Sequence, residues 1–441
     1  MFLKKIHIHN YKLFKDVKIS LEKSDVSDIF SIASVNGGGK STLLQFIFTM
    51  LHCFMDENKK SYISQLLQDI KSPIEEIERL VEFTILNKNK SYNLTFLLTK
   101  NILMEKVAIN NSKTNKWDII ITTIKSKENK FNLSLVLKSD MTPELLEILS
   151  KNIFLASPNS QIFHFLKKED KELIYSNNYN SSYKNYSEIV EALKKDIKNF
   201  FTYDFFSTQI VLNIFEKAFK EDRALKLSTG QYGDHFDRLT KTLDNFLEGK
   251  SISVDADISK FIFKLRDSET LLSPADLSHG ELKKLGLFIW LEYFVPKGAI
   301  VLMDEIDIAL HPSWQYELVD DLEEWSADNT QFFLATHSPQ ILSSTYYKNL
   351  ILLDKKNNYS TVHQLDKPLD NNDVNSVIDL IMGTNHLPKK LDRLHMEYRE
   401  LVKDEKEEDN EAKEIKKKIL EWESINSSFF RRIDFFKKMK K

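Results

Sequence analysis

The chain has 441 residues, of which 42% are hydrophobic and 29% charged, with a formal net charge of −3. That length makes room for about two or three domains with a sizeable core, and the charge balance excludes a global attraction to nucleic acid, leaving any such contact to a local basic patch. The single cysteine, Cys53, excludes an intramolecular disulfide and a cysteine-built zinc site and suits a reducing cytoplasm, and no apolar run is long enough to span a bilayer.

The first twenty residues alternate like strands, over 2–9 and 15–21, and lack the apolar centre of a signal peptide. An apolar strand over 29–35 runs into ASVNGGGKST (residues 33–42), and a helix is predicted over 41–55. Between 81 and 137 the runs EFTIL, SYNLTFLLT, DIIITT and LSLVL, separated by Asn, Lys and Ser turns, predict antiparallel hairpins. IFLAS (residues 153–157) predicts a buried strand that stops at Pro158. Residues 161–254 read as a helical insertion: SEIVEALKKDIKNFF and DHFDRLTKTLDNFLEG have helical periodicity, without sustained heptads. Strands follow at 261–265, 299–304, 331–336 and 350–354, with helices reaching residue 294 and spanning 312–325. Helices alternating with apolar strands predict a mostly parallel sheet, beside the antiparallel β part. Beyond residue 373 the chain reads as helical and charged, and KDEKEEDNEAKEIKKK as a solvated helix face or linker. Residues 389–441 look too charged to form a core alone. Ile415, Ile419 and Trp422 share one helical face, and SSFFRRIDFFKKMKK sets aromatics among basic residues. That end reads either as a helix folding back on the rest or as a docking surface.

Three strings carry chemistry. In the first, Gly37, Gly38 and Gly39 have no Cβ to keep backbone N–H groups from converging on phosphate oxygens, and Asn36 and Thr42 complete the loop. The helix that follows adds its positive end. Lys40 is placed to reach β- and γ-phosphates, and the Ser41 hydroxyl to ligate Mg²⁺. In the second, VLMDEID ends a strand in carboxylates: Asp304 is placed to hold Mg²⁺ beside Ser41, and Glu305 to polarise an attacking water. In the third, LSHGE precedes a helix, so Ser278 and the Gly280 N–H lie at a positive helix end. Alone, that pattern is also an ordinary capping box with Glu281. Gln161, in ASPNSQIF, is a weaker candidate for a link to Mg²⁺, and Tyr11 reads as near an adenine or as a core aromatic. His7 and His9 share a strand face, with no carboxylate or cysteine spaced nearby to make a metal site.

LSHGE resembles the signature loop of the ABC ATPase class. DEIDIALHPSWQ (residues 304–315) resembles the DEPExHLHP segment of RecF-like, OLD-like and related ABC-class ATPases, and ATHSPQIL (residues 335–342) their switch-histidine segment. The resemblance implies an α/β ABC-type ATPase head that binds ATP and Mg²⁺ and directs water onto the γ-phosphate, with His337 sensing that phosphate. It also implies a homodimer enclosing two ATPs, in which Ser278 and Gly280 touch the nucleotide held by the other copy. Ser34 stands where the common phosphate loop has Gly, His279 where the signature usually has Gly, Ile306 where Pro is usual, and Ala309 in place of the first His of HLHP. His311 and Pro312 are kept. The resemblance covers residues 1–160 and 255–370, the two halves of the head, around the insertion at 161–254 and before the charged helical segment 371–441. Size and motif style resemble the stand-alone ATPases of bacterial anti-phage operons such as Septu and PARIS. A Toprim nuclease like that of OLD proteins is not expected, because few residues follow His337 and no DxD cluster lies among them; no HNH-like or zinc pattern is seen either. The expectation is a cytoplasmic ATPase that senses a phage or nucleic-acid signal and gates a separate effector such as a nuclease, with no membrane partner. A RecF-like DNA-repair ATPase is the alternative, and a transporter ATPase is disfavoured by the size of the insertion.

Overall fold

The computed structural model describes residues 1–34, 37–68, 70, 77–100, 117–125, 132–158, 165, 188, 192–202, 208–247, 249–255, 257–356, 359–368, 374–383 and 387–440. They divide into two units, Met1–Asn372 and Asp373–Lys441.

In the first unit, alternation at the N-terminus becomes β1 (Phe2–Tyr11) and β2 (Phe14–Ser20), an antiparallel pair that buries Ile6, Ile8, Val17 and Ile19. The strand β3 (Ile29–Ser34) is buried throughout and leads to α1 (Lys40–His52). The expected hairpins are β4 (Ile77–Asn87), β5 (Lys90–Lys100), β6 (Trp117–Lys125) and β7 (Asn132–Ser139). The helices α2 (Lys60–Leu66) and α3 (Pro143–Lys151) precede β8 (Ile153–Ser157) and β9 (Phe200–Thr202). After α4 (Thr208–Thr229) and α5 (His235–Phe246), a small antiparallel sheet forms from β10 (Lys250–Val254), β11 (Phe261–Leu265) and β12 (Leu271–Leu272). The rest alternates: α6 (His279–Phe294), β13 (Ile300–Asp304), α7 (Pro312–Trp325), β14 (Gln331–Ala335), α8 (Pro339–Ser344), β15 (Leu350–Lys356) and β16 (Tyr359–Gln364).

One 13-stranded sheet runs β6-β7-β5-β4-β1-β2-β16-β15-β3-β14-β13-β8-β9. From β15 to β9 every pairing is parallel, and from β6 to β2 every pairing is antiparallel. The expected α/β fold is therefore present, as a parallel block continued by an antiparallel wing through β16. Gln331 ties the wing to the second half: its Oε1 accepts from the Leu3 N–H at 2.7 Å and its Nε2 donates to the Leu3 carbonyl at 3.0 Å.

Within the span 161–254, the described residues hold β9 and β10 as well as the helices α4 and α5. Asn199 Nδ2 donates to the carbonyls of Lys151 and Ile153, and Phe200 then enters β9 beside β8. Val211, Phe215, Leu239 and Leu243 join the hydrophobic cluster that contains Phe288, Trp290 and Trp325, and Phe246 stacks on Phe288 at 4.4 Å. One expectation is corrected. The correction concerns residues 389–441, which do form a core. The helices α10 (Lys389–Lys403), α11 (Asn410–Leu420) and α12 (Ser428–Lys440) follow α9 (Val374–Leu380). They pool Leu394, Tyr398, Val402, Ile415, Ile419, Phe429, Phe430 and Ile433 into one cluster. Each stripe is narrow and the charges lie outside it, so three helices together bury what one cannot. Ile415 and Ile419 face inward, while Trp422 is 48% exposed.

Phe430→Ala should therefore loosen this unit by about 3–5 kcal/mol, the usual loss for a buried Phe. Hydrogen exchange over residues 389–433 checks this: faster exchange is expected in the variant, and unchanged protection would contradict the packing.

Candidate functional site

The register of the parallel block sets the site. Asp304 pairs with Ala335, and Ala335 with Ile32, so Ser34, Asp304 and His337 emerge together at the carboxyl edge of β3, β13 and β14, where open α/β sheets bind ligands. The phosphate-loop string turns there. Gly37 and Gly39 have φ of 76° and 96°, and a Cβ on Gly39 would lie 3.0 Å from the Phe14 ring. Gly39 precedes α1 and its carbonyl accepts from the Leu43 N–H at 2.8 Å. The Gly38 carbonyl accepts from Ser360 Oγ at 2.8 Å, which ties the loop to β16. Thr42 is half-buried in the first turn of α1. Asn36 and Gln161 lie outside the described residues.

Lys40 is buried and donates to Ser34 Oγ at 3.1 Å and to His337 Nε2 at 2.7 Å. Burial holds its ammonium below the usual lysine range, while Asp304, Asp307 and Glu305 pull it back. Burial, then the Lys40 charge, lowers the His337 pKa, so that imidazole is neutral and Nε2 accepts. Ser41 Oγ donates to Asp304 Oδ1 at 3.0 Å. Burial pushes the Asp304 carboxyl up to about 6 against that hydrogen bond. Its Oδ2 is buried with no hydrogen-bond partner among the described residues. A buried acceptor without a partner is costly, and a carboxylate beside a hydroxyl is a donor set for a hard divalent cation. Glu305 follows with φ 51°, its N–H donating to the Ala335 carbonyl at 2.9 Å, which bends the chain at the strand end.

Asp307 was not singled out in the sequence. Its Oδ1 accepts from Thr336 Oγ1 at 2.6 Å and the His337 N–H at 3.4 Å, so it fixes the segment that carries the histidine. An acid three residues after Asp304, facing a Thr next to His337, is the signal that points to it.

Ser278 and Gly280 belong to a neighbouring arrangement. Ser278 is exposed and caps α6 in a full capping box, its Oγ 3.2 Å from the Glu281 N–H, with Glu281 bridged to Lys250 at 2.6 Å. Gly280 is packed so closely that a Cβ would lie 2.8 Å from the Ala309 carbonyl and 3.0 Å from Trp314. One turn on, buried Lys283 donates to the carbonyls of Ile306 and Ile308 at 2.7 and 2.6 Å. Sequence reading missed this lysine too. The signature-like loop is thus braced against the turn that follows Asp304 and Glu305. Ala309, at φ 62°, supplies backbone there. His311 caps α7, its Nδ1 3.3 Å from the Ser313 N–H. Tyr11 is a core residue, stacked on Phe46 at 4.2 Å. No helix among the described residues is long and apolar enough to cross a membrane.

The family model and two relatives point to an ATPase. The family described as "AAA domain, putative AbiEii toxin, Type IV TA system" matches residues 35–343. The "Retron Vc95 probable ATPase" of Vibrio cholerae serotype O1 biovar El Tor is 33% identical over 123 residues, 27% of this chain and 23% of that protein. The "Retron Ec83 probable ATPase" of Escherichia coli is 48% identical over 54 residues, 12% of this chain and 10% of that protein. The chain thus matches less than a quarter of the length of either relative. Among solved structures, an Smc head bound to the C-winged helix domain of ScpA covers 83% of this chain and 98% of its own, at 13% identity and a TM-score of 0.43. The family match spans β8, β9, β13 and β14 of the parallel block and every described residue of the site from Gly37 to His337, and on it the chain belongs to this AAA domain family.

Proposed function

We propose that the chain binds ATP with Mg²⁺ at the carboxyl edge of β3, β13 and β14 and hydrolyses it by attack of water on the γ-phosphate. The observation that carries this is the direct linkage of Lys40 to Ser34 and His337 and of Ser41 to Asp304, beside a buried carboxylate oxygen without a partner among the described residues. Asn36, Gly37, Gly38, Gly39 and Thr42 offer backbone and side-chain donors to phosphate oxygens. Lys40 exchanges its neutral acceptors for β- and γ-phosphate oxygens, and His337, released from Lys40, answers to the γ-phosphate. Ser41 and Asp304 hold the Mg²⁺, with Gln161 as a further link; the ion supplies charge neutralisation on the phosphates. Glu305 takes the proton of the attacking water.

Two copies close on two nucleotides, each offering Ser278 and Gly280 to its partner. The brace from Gly280 and Lys283 to the turn after Glu305 connects that contact to the hydrolytic residues. Similarity to retron ATPases and to anti-phage operon ATPases supports a defence role, in which a phage or nucleic-acid signal drives head closure and a separate effector, such as a nuclease, is released or armed.

A pH dependence tests the metal assignment. The Asp304 pKa of about 6 lies above the ordinary 3.8. Its protonated form therefore favours the fold: that contribution is full below about 3.8 and lost as pH rises through about 6. Metal binding needs the carboxylate, so Mg²⁺-dependent ATP affinity should fall about tenfold per pH unit below the Asp304 pKa. Binding measured with Mg²⁺ and with a chelator separates the cases. The inflection should vanish with the chelator and in Asp304→Asn; an inflection that persists in that variant would remove Asp304 from the metal site.

A further inference from the structure

We propose that His7, His9 and Glu82 bind one divalent transition-metal ion of the zinc type on the wing, with Asp16 orienting His7. On β1, His7 and His9 stand two residues apart on the face opposite buried Ile6 and Ile8, and the ladder sets Glu82 of β4 directly across from His7. Sequence spacing alone gives these histidines no carboxylate; the pairing of β1 with β4 does.

The donor atoms converge. His7 Nδ1 lies 3.7 Å from Glu82 Oε2, His9 Nε2 lies 3.7 Å from Glu82 Oε1, and one ligand atom from each residue fits within 4.8 Å of the others. Tetrahedral zinc with bonds of about 2.0–2.1 Å puts its donors about 3.3–3.4 Å apart. The two imidazole–carboxylate pairs thus need only small movements to share an ion. The imidazoles already lie side by side, 3.9 Å between ring centres and tilted by 37°.

The tautomers suit coordination. His7 Nε2–H donates to Asp16 Oδ1 at 2.6 Å, which leaves the Nδ1 lone pair facing Glu82. A carboxylate behind a histidine is the arrangement that orients metal-bound imidazoles. His9 Nε2 is buried and has no hydrogen-bond partner among the described residues, an acceptor aimed at the same point. Arg79 pairs with Glu82 Oε1 at 2.8 Å and Lys18 with Asp16 at 3.5 Å. Both cations are largely exposed, and exposed pairs of this kind contribute little, so an ion on Glu82 displaces Arg79 cheaply. Two imidazoles and one carboxylate select zinc-like ions over Mg²⁺ and Ca²⁺, with water in the fourth position. The ion would staple β1 to β4, where the wing meets the strands leading to the parallel block.

The test uses the full chain, stripped with a chelator, titrated with Zn²⁺ and with Co²⁺ as a spectroscopic probe. A single saturable equivalent is expected, with visible Co²⁺ bands of a low-coordinate nitrogen–oxygen site and a Zn²⁺-dependent rise in melting temperature. His9→Ala and Glu82→Gln should each lose all three readouts, and Asp16→Asn should weaken Zn²⁺ binding about 10- to 100-fold. Asp304→Asn should leave the site intact, which separates it from the Mg²⁺ assignment. His7→Ala serves where His9→Ala does not fold. No saturable Zn²⁺ binding, or the same binding in the histidine variants as in the wild type, would overturn the proposal.

Discussion

Lys40→Ala should abolish ATP binding, and Glu305→Gln should keep binding while slowing phosphate release by on the order of 10²-fold or more. The two effects differ because the residues act at different stages. Lys40 is a buried cation at the phosphate loop, held by two neutral acceptors and faced by three acids. Removing it takes away the charge that meets the phosphates and leaves Asp304, Asp307 and Glu305 to repel them. Glu305 lies one residue past Asp304, at a positive-φ bend whose backbone bond to Ala335 does not involve its side chain. Glutamine keeps that backbone bond and the length of the side chain while removing the base. Equilibrium nucleotide binding and single-turnover phosphate release, measured separately, check both. Wild-type turnover in Glu305→Gln would take Glu305 out of the reaction.

Ser278→Arg should leave binding by a single copy intact and block hydrolysis, because the bulky cation stands where the second copy closes. The substitution also costs an N-cap, about 1 kcal/mol, so the melting temperature is read beside activity. Ser278→Ala loses the same cap without the bulk and serves as the control for that cost. Mixed with Lys40→Ala protein, the arginine variant should regain part of the activity once subunits exchange. One composite site then has an intact phosphate loop from one parent and an intact signature loop from the other, while the second site carries both defects. Wild-type hydrolysis by Ser278→Arg alone would contradict the shared site.

The parallel block is legible in the sequence because its strands are buried on both faces and read as apolar runs: β3, β13 and β14 are buried at every position. The polar strand β16, YSTVHQ, has no such run, and its place is set by its neighbours β2 and β15. A three-residue strand such as β9 is too short to show a period, so KNFF reads as the end of a helix until Asn199 is seen capping the backbone of β8. The core of the C-terminal unit is hidden for another reason. Ile415 and Ile419 make only a narrow stripe on α11, and the aromatic pair Phe429 and Phe430 that completes it arrives from α12. At the site, Lys40, Ser41, Asp304 and His337 are legible as motif residues. The contacts of Asp307 with Thr336, of Gly280 with Ala309 and of Glu82 with His7 and His9 are not. Each depends on strand register or on the approach of two elements far apart in sequence.

The most direct test of the account is phosphate release from ATP by the purified full chain with Mg²⁺. Repeated turnover is predicted, suppressed by a chelator and lost in Asp304→Asn, whose neutral amide cannot complete the cation site with Ser41. Release no greater than the buffer blank, or equal release by the wild type and Asp304→Asn, would contradict it.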